Sequence, residues 1–423
     1  MCDVRSWRHT VKSAKARMNS AMSMNRNVSL SAESAHKMAW IGYSDLGGRP
    51  DGVQVMVNRG YAFVGHPFSG GGATVVDVRD PRAPRPVNFL PVHPRSWSLH
   101  FQTFGELLLV AEEFNFIADR PKAQWKDPEC SAGLRVYDLA NPATPRAIGF
   151  MPVEGLGLHR IWWTGGRYAY ASALLDGFTD HILICIDLQE PTRPREVGRW
   201  WVPGMWRAGG ETNTWQGRTA LHHPVVADGI AYCAWRDAGV KLIDVSNPGK
   251  LRLVGERNLH PPFGGSTHTA LPLPSRSLLV VADEAMADIS VEPQRYIWIF
   301  DARTPENLVS IATLPLPGEQ DYIAKGGTYG PHNLWENRPD GFVSETLIFA
   351  TFQSAGVRAY DLSNPFQPTE VGFFVPPPPT TLIDPRPGIK RITHCADVYV
   401  SADSFIYVTD YNGGLYVLET ELI

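Results

Sequence analysis

A phrase repeated at a fixed period, a hairpin block inside each period and ends that match one another predict an all-β chain folded as a seven-bladed β-propeller. The phrase is an apolar strand closing on Asp, a Pro-containing turn, and a second strand that often reads Val/Ile-Gly. Six copies run from residues 74–90 to 358–374, with marker acids Asp77, Asp138, Asp187, Asp244, Asp301 and Asp361 spaced 49 to 61 residues apart. Self-similarity at such a period signals a repeat architecture and outranks any local pattern. A seventh, degenerate copy reads GGLYVLETELI at 413–423.

Between the phrases lies strand, two-residue turn, strand, turn, strand, clearest in LHHPVVADGIAYCAWRDAGVKLIDV at 221–245. Its Asp228-Gly229 turn is a short-hairpin signal, because glycine tolerates the positive φ required there. Each unit therefore supplies about four antiparallel strands, which is a propeller blade. The last unit lacks a strand after Leu418, and MAWIGYSDL at 38–46 resembles the outer-strand phrases RAIGFMPV and TEVGFFVP. This N-terminal strand is expected to complete the last blade and close the ring, removing an exposed sheet edge. The domain reading is one propeller over 37–423, preceded by a basic, Met- and Ser-rich extension over 1–36 that is expected to be disordered or loosely docked.

Composition narrows the function classes. A net charge of −4 argues against a nucleic-acid or acidic-membrane partner, since phosphate binding needs concentrated Lys and Arg. No apolar run approaches the length of a membrane span. Five cysteines, Cys2, Cys130, Cys185, Cys233 and Cys395, are odd in number and three sit in expected strands. They read as reduced, hence a cytoplasmic protein.

The chemistry lies in the histidines. Six of the 13 stand at or near the start of the first strand of a blade: His100, His159, His223, His268, His332 and His394. Blade one offers Gln54 there. His222 adjoins His223, and a strand turns only one of the two toward a given side. The first strand of each propeller blade lines the central channel, so one residue per blade at one height makes a ring. A single such histidine most often bonds a neighbouring loop, but six in register point to a metal. Neutral imidazole suits Fe, Cu, Zn and Ni, and nitrogens converging at about 2.0–2.2 Å make a firm site. His223, His268, His332 and His394, on consecutive blades, are the expected ligands. His100 and His159 complete the set or contact substrate.

Acids recur at the ends of second strands, at Glu112, Glu113, Asp237, Asp283, Glu284 and Asp410. Metal-bound His usually donates its other N–H to a carboxylate or carbonyl, and Glu113 and Glu284 are the expected acids behind the ligands. Taken alone, each such acid caps a turn or pairs with Arg equally well. Trp201, Trp206, Trp215, Tyr322 and Tyr329, in the inserted loops, either form an aromatic vestibule or pack the loops onto the ring. Neither GGRP nor SGGGAT joins a strand to a helix as a phosphate-binding loop requires, and no G-x-S-x-G, CxxC or HExxH is present.

The VxDxxxPxxPxxVG phrase resembles the LVIVD-repeat proteins, a group of β-propellers, over about residues 38–423. The axial histidines are similar in architecture to two enzyme groups. Carotenoid-cleavage oxygenases hold Fe(II) by four axial histidines backed by glutamates, and the selenium-binding-protein and methanethiol-oxidase group uses axial histidines and copper. The resemblance implies fold, and the analogy implies one divalent transition metal, Fe or Cu ahead of Zn or Mn.

The functional expectation is a metal-dependent oxidoreductase or oxygenase acting on a small aromatic or apolar substrate at the channel mouth. The alternatives are a non-redox metal-dependent lyase, isomerase or hydrolase, and a metal-free interaction scaffold.

Overall fold

The computed structural model describes residues 31–115 and 130–423. The marker acids are turn formers. Asp77, Asp138, Asp187, Asp244, Asp301 and Asp361 are each the last residue of a strand. Each Oδ1 accepts the N–H two residues on: from Arg79, Ala140, Gln189, Ser246, Arg303 and Ser363, at 2.7–3.2 Å. That Asx turn replaces a backbone turn at low cost. In four units Oδ2 also meets an arginine eight residues on, its partner across the hairpin: Arg85, Arg146, Arg195 and Arg252. Opposite charges directly across a strand pair reinforce its register.

The proline turn and the Val/Ile-Gly strand are two halves of one contact between neighbouring blades. A methyl group at Gly42, Gly149, Gly198 or Gly255 would overlap the carbonyl oxygen of Pro81, Pro191, Pro248 or Pro305, respectively, in the turn of the next unit. Each of these glycines also adjoins a β-bulge, where the pairing skips Ile41, Ile148, Val197 or Val254. The bulge bends the outer strand toward its neighbour, and glycine lets the two backbones touch.

Among the described residues the strands form seven successive antiparallel units, a β-propeller. The fourth is typical, with His223–Ala227, Ile230–Ala234, Val240–Asp244 and Arg252–Arg257 in order. Met38–Ser44 pairs with Gly414–Thr420, so the N-terminal strand is the outer strand of the unit built from Cys395–Val400 and Ile406–Asp410. That unit in turn bonds the first: Val55 N–H donates to Asp397 Oδ2 at 3.1 Å and Gly52 N–H to the Asp410 carbonyl at 3.0 Å.

Two features depart from the sequence expectation. Ser34–His36, placed within the extension, pairs with Phe373–Val375 and adds an outer strand to the sixth unit; residues 1–30 of that extension lie outside the described residues. Units two and three are also joined by one bridge, Gly157 opposite Glu113. Gly157 has φ 112° and no room for a side chain against the Glu112 carbonyl, so the bridge needs glycine. It brings the Glu113 carboxylate against the third unit.

Cys130, Cys185, Cys233 and Cys395 are free thiols, and Cys2 lies outside the described residues. Among the described residues no helix is long and apolar enough to cross a membrane.

Candidate metal centre

Five histidines, one from each of units two to six, border a single cavity of about 120 Å³: His100, His159, His222, His268 and His332. Ring centroids of successive members lie 4.6, 5.0, 3.6 and 4.5 Å apart. His159 and His268 belong to the inner strands Gly155–Trp162 and Thr267–Leu273, while the other three stand just before or at the inner edge of theirs. Arg236, Glu284, Arg386 and Tyr411 complete the polar wall, and Phe68, Trp97 and Leu99 belong to the apolar one.

The hydrogen bonds assign the tautomers. Nδ1 of His100 lies 2.6 Å from the His159 carbonyl, Nδ1 of His222 lies 2.8 Å from the His268 carbonyl, and Nδ1 of His332 bonds the Ala396 carbonyl. A carbonyl only accepts, so each Nδ1 carries the hydrogen and each Nε2 keeps its lone pair. Burial lowers the pKa of His100, His222 and His268 well below the ordinary value, and nearby Arg160, Arg236 or histidine neighbours add to it. Burial also lowers His159 and His332, against partial compensation by Glu113 and Glu284. Burial thus favours the neutral form of all five rings, the form a metal requires.

Three donors converge most closely. His268 Nε2 and His332 Nε2 each lie 3.5 Å from a different oxygen of Glu284, and the three groups offer ligand atoms all within 4.8 Å of one another. Donors about 2.0–2.2 Å from one ion stand about 3–3.5 Å apart, so each His–Glu284 pair already has that spacing, and the full set must draw closer to share one ion. Burial would raise the Glu284 pKa, but Arg236 and His332 outweigh it and hold the carboxylate ionised. Arg236 Nη1 also donates to Glu284 Oε2. Beside this set, His159 Nε2 and His222 Nε2 face each other at 3.2 Å.

Glu113 stands outside the cavity wall and organises what lies behind it. Its Oε2 accepts from Trp97 Nε1 at 2.9 Å and His159 Nδ1 at 3.0 Å, and its Oε1 from His181 Nε2 at 2.6 Å. His181 Nδ1 continues to Asp180 Oδ1 at 2.8 Å, and Asp180 to Arg218 at 2.8 and 3.0 Å. Each group is fixed by the next, from the cavity to the half-exposed Arg218 side chain.

Several expected site residues are placed elsewhere. His223 does not face the cavity: its Nδ1 accepts from Arg160 Nε at 2.7 Å and its Nε2 lies 3.5 Å from Glu336, while His222 lines the cavity. Strand alternation puts the neighbours on opposite sides, and the His222 N–H bond to the Ala234 carbonyl sets which is which. His394 does not line the cavity either; its ring packs 4.6 Å from that of Tyr411, which takes the wall position in the seventh unit. Gln54 is buried and accepts from Phe101 N–H at 2.6 Å, tying units one and two together.

The other strand-end acids are structural. Glu112 pairs with Arg135, Asp283 accepts from Trp298 and Thr267, Asp237 from the Arg218 and Ser266 N–H groups, and Asp410 from the His394 and Asn412 N–H groups. Tyr322 and Tyr329 are buried against Phe352 in a small core of their own. Trp201 packs on Phe178 and Trp206, so the loop aromatics pack rather than form a vestibule. Sequence reasoning missed Arg236, Arg386, Phe68, Trp97 and Tyr411 in the wall and His181 behind it. Only the Asp180-His181 pair, immediately before the strand Ile182–Asp187, carried a readable signal.

Comparison with known proteins reaches the fold. The LVIVD repeat family matches residues 225–258. The matched stretch of the fourth blade is similar to an LVIVD repeat. The match begins within the first strand of that blade, His223–Ala227, and runs through its last, Arg252–Arg257. No curated protein matches the chain. Among solved structures, Sqt1 of Saccharomyces cerevisiae is similar with a TM-score of 0.55 and 10% identity, over 91% of this chain and 99% of that one. A chain of the Mitotic Checkpoint Complex is similar with a TM-score of 0.54 and 10% identity, over 94% of each. At such identity the likeness is one of fold alone.

Proposed function

We propose that this LVIVD-repeat propeller is a metal-dependent enzyme, an oxidoreductase using iron or copper held by His268, Glu284 and His332. The observation that carries the reading is the convergence of these three ligand atoms within 4.8 Å in the wall of a cavity. Two histidines and one carboxylate with open positions is the donor set characteristic of non-haem Fe(II) oxygenases, and imidazole equally suits copper. Bound there, such an ion supplies one-electron and O₂ chemistry.

The chain's own groups supply the rest. Arg236 keeps Glu284 ionised as a ligand. His100 presents an unprotonated Nε2 atom that accepts a hydrogen bond from a molecule in the cavity. Phe68, Trp97 and Leu99 give that molecule an apolar wall.

Elemental analysis of protein purified without an affinity tag tests the reading. About one Fe or Cu per chain is expected, lost in His268→Ala and His332→Ala and kept in His394→Ala, with all three variants folded by circular dichroism. Zn or Mn at that stoichiometry would move the assignment to lyase, isomerase or hydrolase chemistry. No metal, even after reconstitution, would sink the metal centre and leave an interaction scaffold.

A further inference from the structure

The cavity is asymmetric in charge. Its one acid, Glu284, is matched by Arg236. Arg386 is left. It comes from the proline-rich segment 375–390 and enters the wall between two rings, with its guanidinium carbon 5.6 Å from the centroid of Phe68 and 5.5 Å from that of Tyr411. Its Nε and Nη2 bond Asp384, a fully buried carboxylate outside the cavity wall, whose own N–H is held by Asn412 Oδ1 at 3.0 Å. No protein hydrogen bond from Nη1 is seen among the described residues. One edge of the guanidinium is therefore fixed from behind and the other is available to a ligand. An ion at His268, Glu284 and His332 would add further positive charge to the same space.

Size and wall chemistry define the rest of the ligand. A volume of about 120 Å³ is close to that of apolar cavities that take up benzene, on the order of 150 Å³. Aromatic faces at Phe68, Trp97 and Tyr411 favour a flat apolar body.

We propose that the cavity binds a small aromatic monocarboxylate, with its carboxylate on Arg386 Nη1 and its ring against the cavity side of Phe68, Trp97 and Tyr411. Tyr411 lies 6.2 Å from His332, so a ring held there ends beside the three metal-ligating groups. This assignment rests on the proposed enzyme reading in making that acid the substrate class; the binding itself requires only Arg386 and the aromatic wall. A guanidinium is the residue of choice for a carboxylate, since its planar N–H groups match the two oxygens.

Isothermal titration of the full chain with benzoate, benzyl alcohol and acetate tests it, with metal content read on the same samples. Benzoate is expected to bind at least about tenfold more tightly than benzyl alcohol, the size of a charge-assisted hydrogen bond, and more tightly than acetate, which lacks the ring. Arg386→Gln is expected to weaken benzoate by about the same factor and leave benzyl alcohol unchanged. Arg386→Lys keeps a cation for Asp384 while removing the free Nη1, so it should weaken benzoate without a loss of folding. Equal affinities for benzoate and benzyl alcohol, or benzoate binding undiminished in a folded Arg386→Lys protein, would overturn the proposal. Benzoate binding without any metal would sink the metal centre and leave the carboxylate site standing. Metal present with no preference for benzoate would do the reverse.

Discussion

A Glu113→Ala protein is expected to be about 3–5 kcal/mol less stable than wild type in urea unfolding near pH 5.5. Removing this buried carboxylate strips the acceptor from Trp97 Nε1, His159 Nδ1 and His181 Nε2 at once. His181 then loses one of the carboxylates that balance a charge it holds while almost fully buried. The size of the loss depends on pH in a way that identifies its cause. Burial alone would raise the Glu113 pKa, but His159 and His181 bring it down to about 2 from an ordinary 4.5. Burial alone would lower His181, but Asp180 and Glu113 raise it above 6.5.

The two signs are opposite. Glu113, depressed on folding, contributes fully above pH 4.5 and loses that contribution as pH falls toward 2. His181, raised on folding, contributes fully below pH 6.5 and loses that contribution as pH climbs through its folded value. The wild-type advantage over Glu113→Ala should therefore peak between about pH 4.5 and 6.5 and shrink on either side. Glu113→Gln, which keeps the shape and loses the charge, should fall between the two. A difference independent of pH would mean that packing, not the ionic chain, holds this corner together.

Gly255→Ala should cost about 2–3 kcal/mol, the range for forcing a methyl into a packed site. The added carbon would overlap the Pro305 carbonyl of the next unit, and two backbones have little freedom to part. Gly198→Ala, against Pro248, should cost as much. Gly249→Ala is the matched control: its nearest neighbour lies 3.7 Å away and its φ is not positive, so a change within about 0.5 kcal/mol is expected. Urea midpoints of the three proteins make the comparison. If Gly255→Ala unfolds with wild type, the interlock between outer strands and proline turns is not what joins the blades.

Most of the architecture was legible because its requirements are local. An acid two residues before a needed N–H, a proline in the turn and a glycine where two backbones meet are each conditions on residue type at a fixed offset. They recur wherever the contact recurs. The closing strand was readable for the same reason, since Met38–Ser44 carries the outer-strand phrase and Gly42 meets Pro81 as Gly255 meets Pro305. The wall of the cavity was much less so. His222 and His223 are adjacent in one segment with equal claims, and only the pairing with Ala234 decides between them. Glu284, expected behind the ligands, stands 3.5 Å from both His268 and His332.

What the sequence determined by itself is the repeat: the strand phrases, their turns, the matched ends and one histidine near the channel in each of blades two to seven. These follow from rules of spacing along a single chain. Only the tertiary structure decided which side chains share a volume. Tyr411 rather than His394 fills the wall of the seventh blade, Arg386 arrives from a loop, and Glu113 reaches His159 through the bridge at Gly157. Those meetings join residues tens to hundreds of positions apart. Their partners are chosen by blade geometry and strand register, which no offset along the chain encodes.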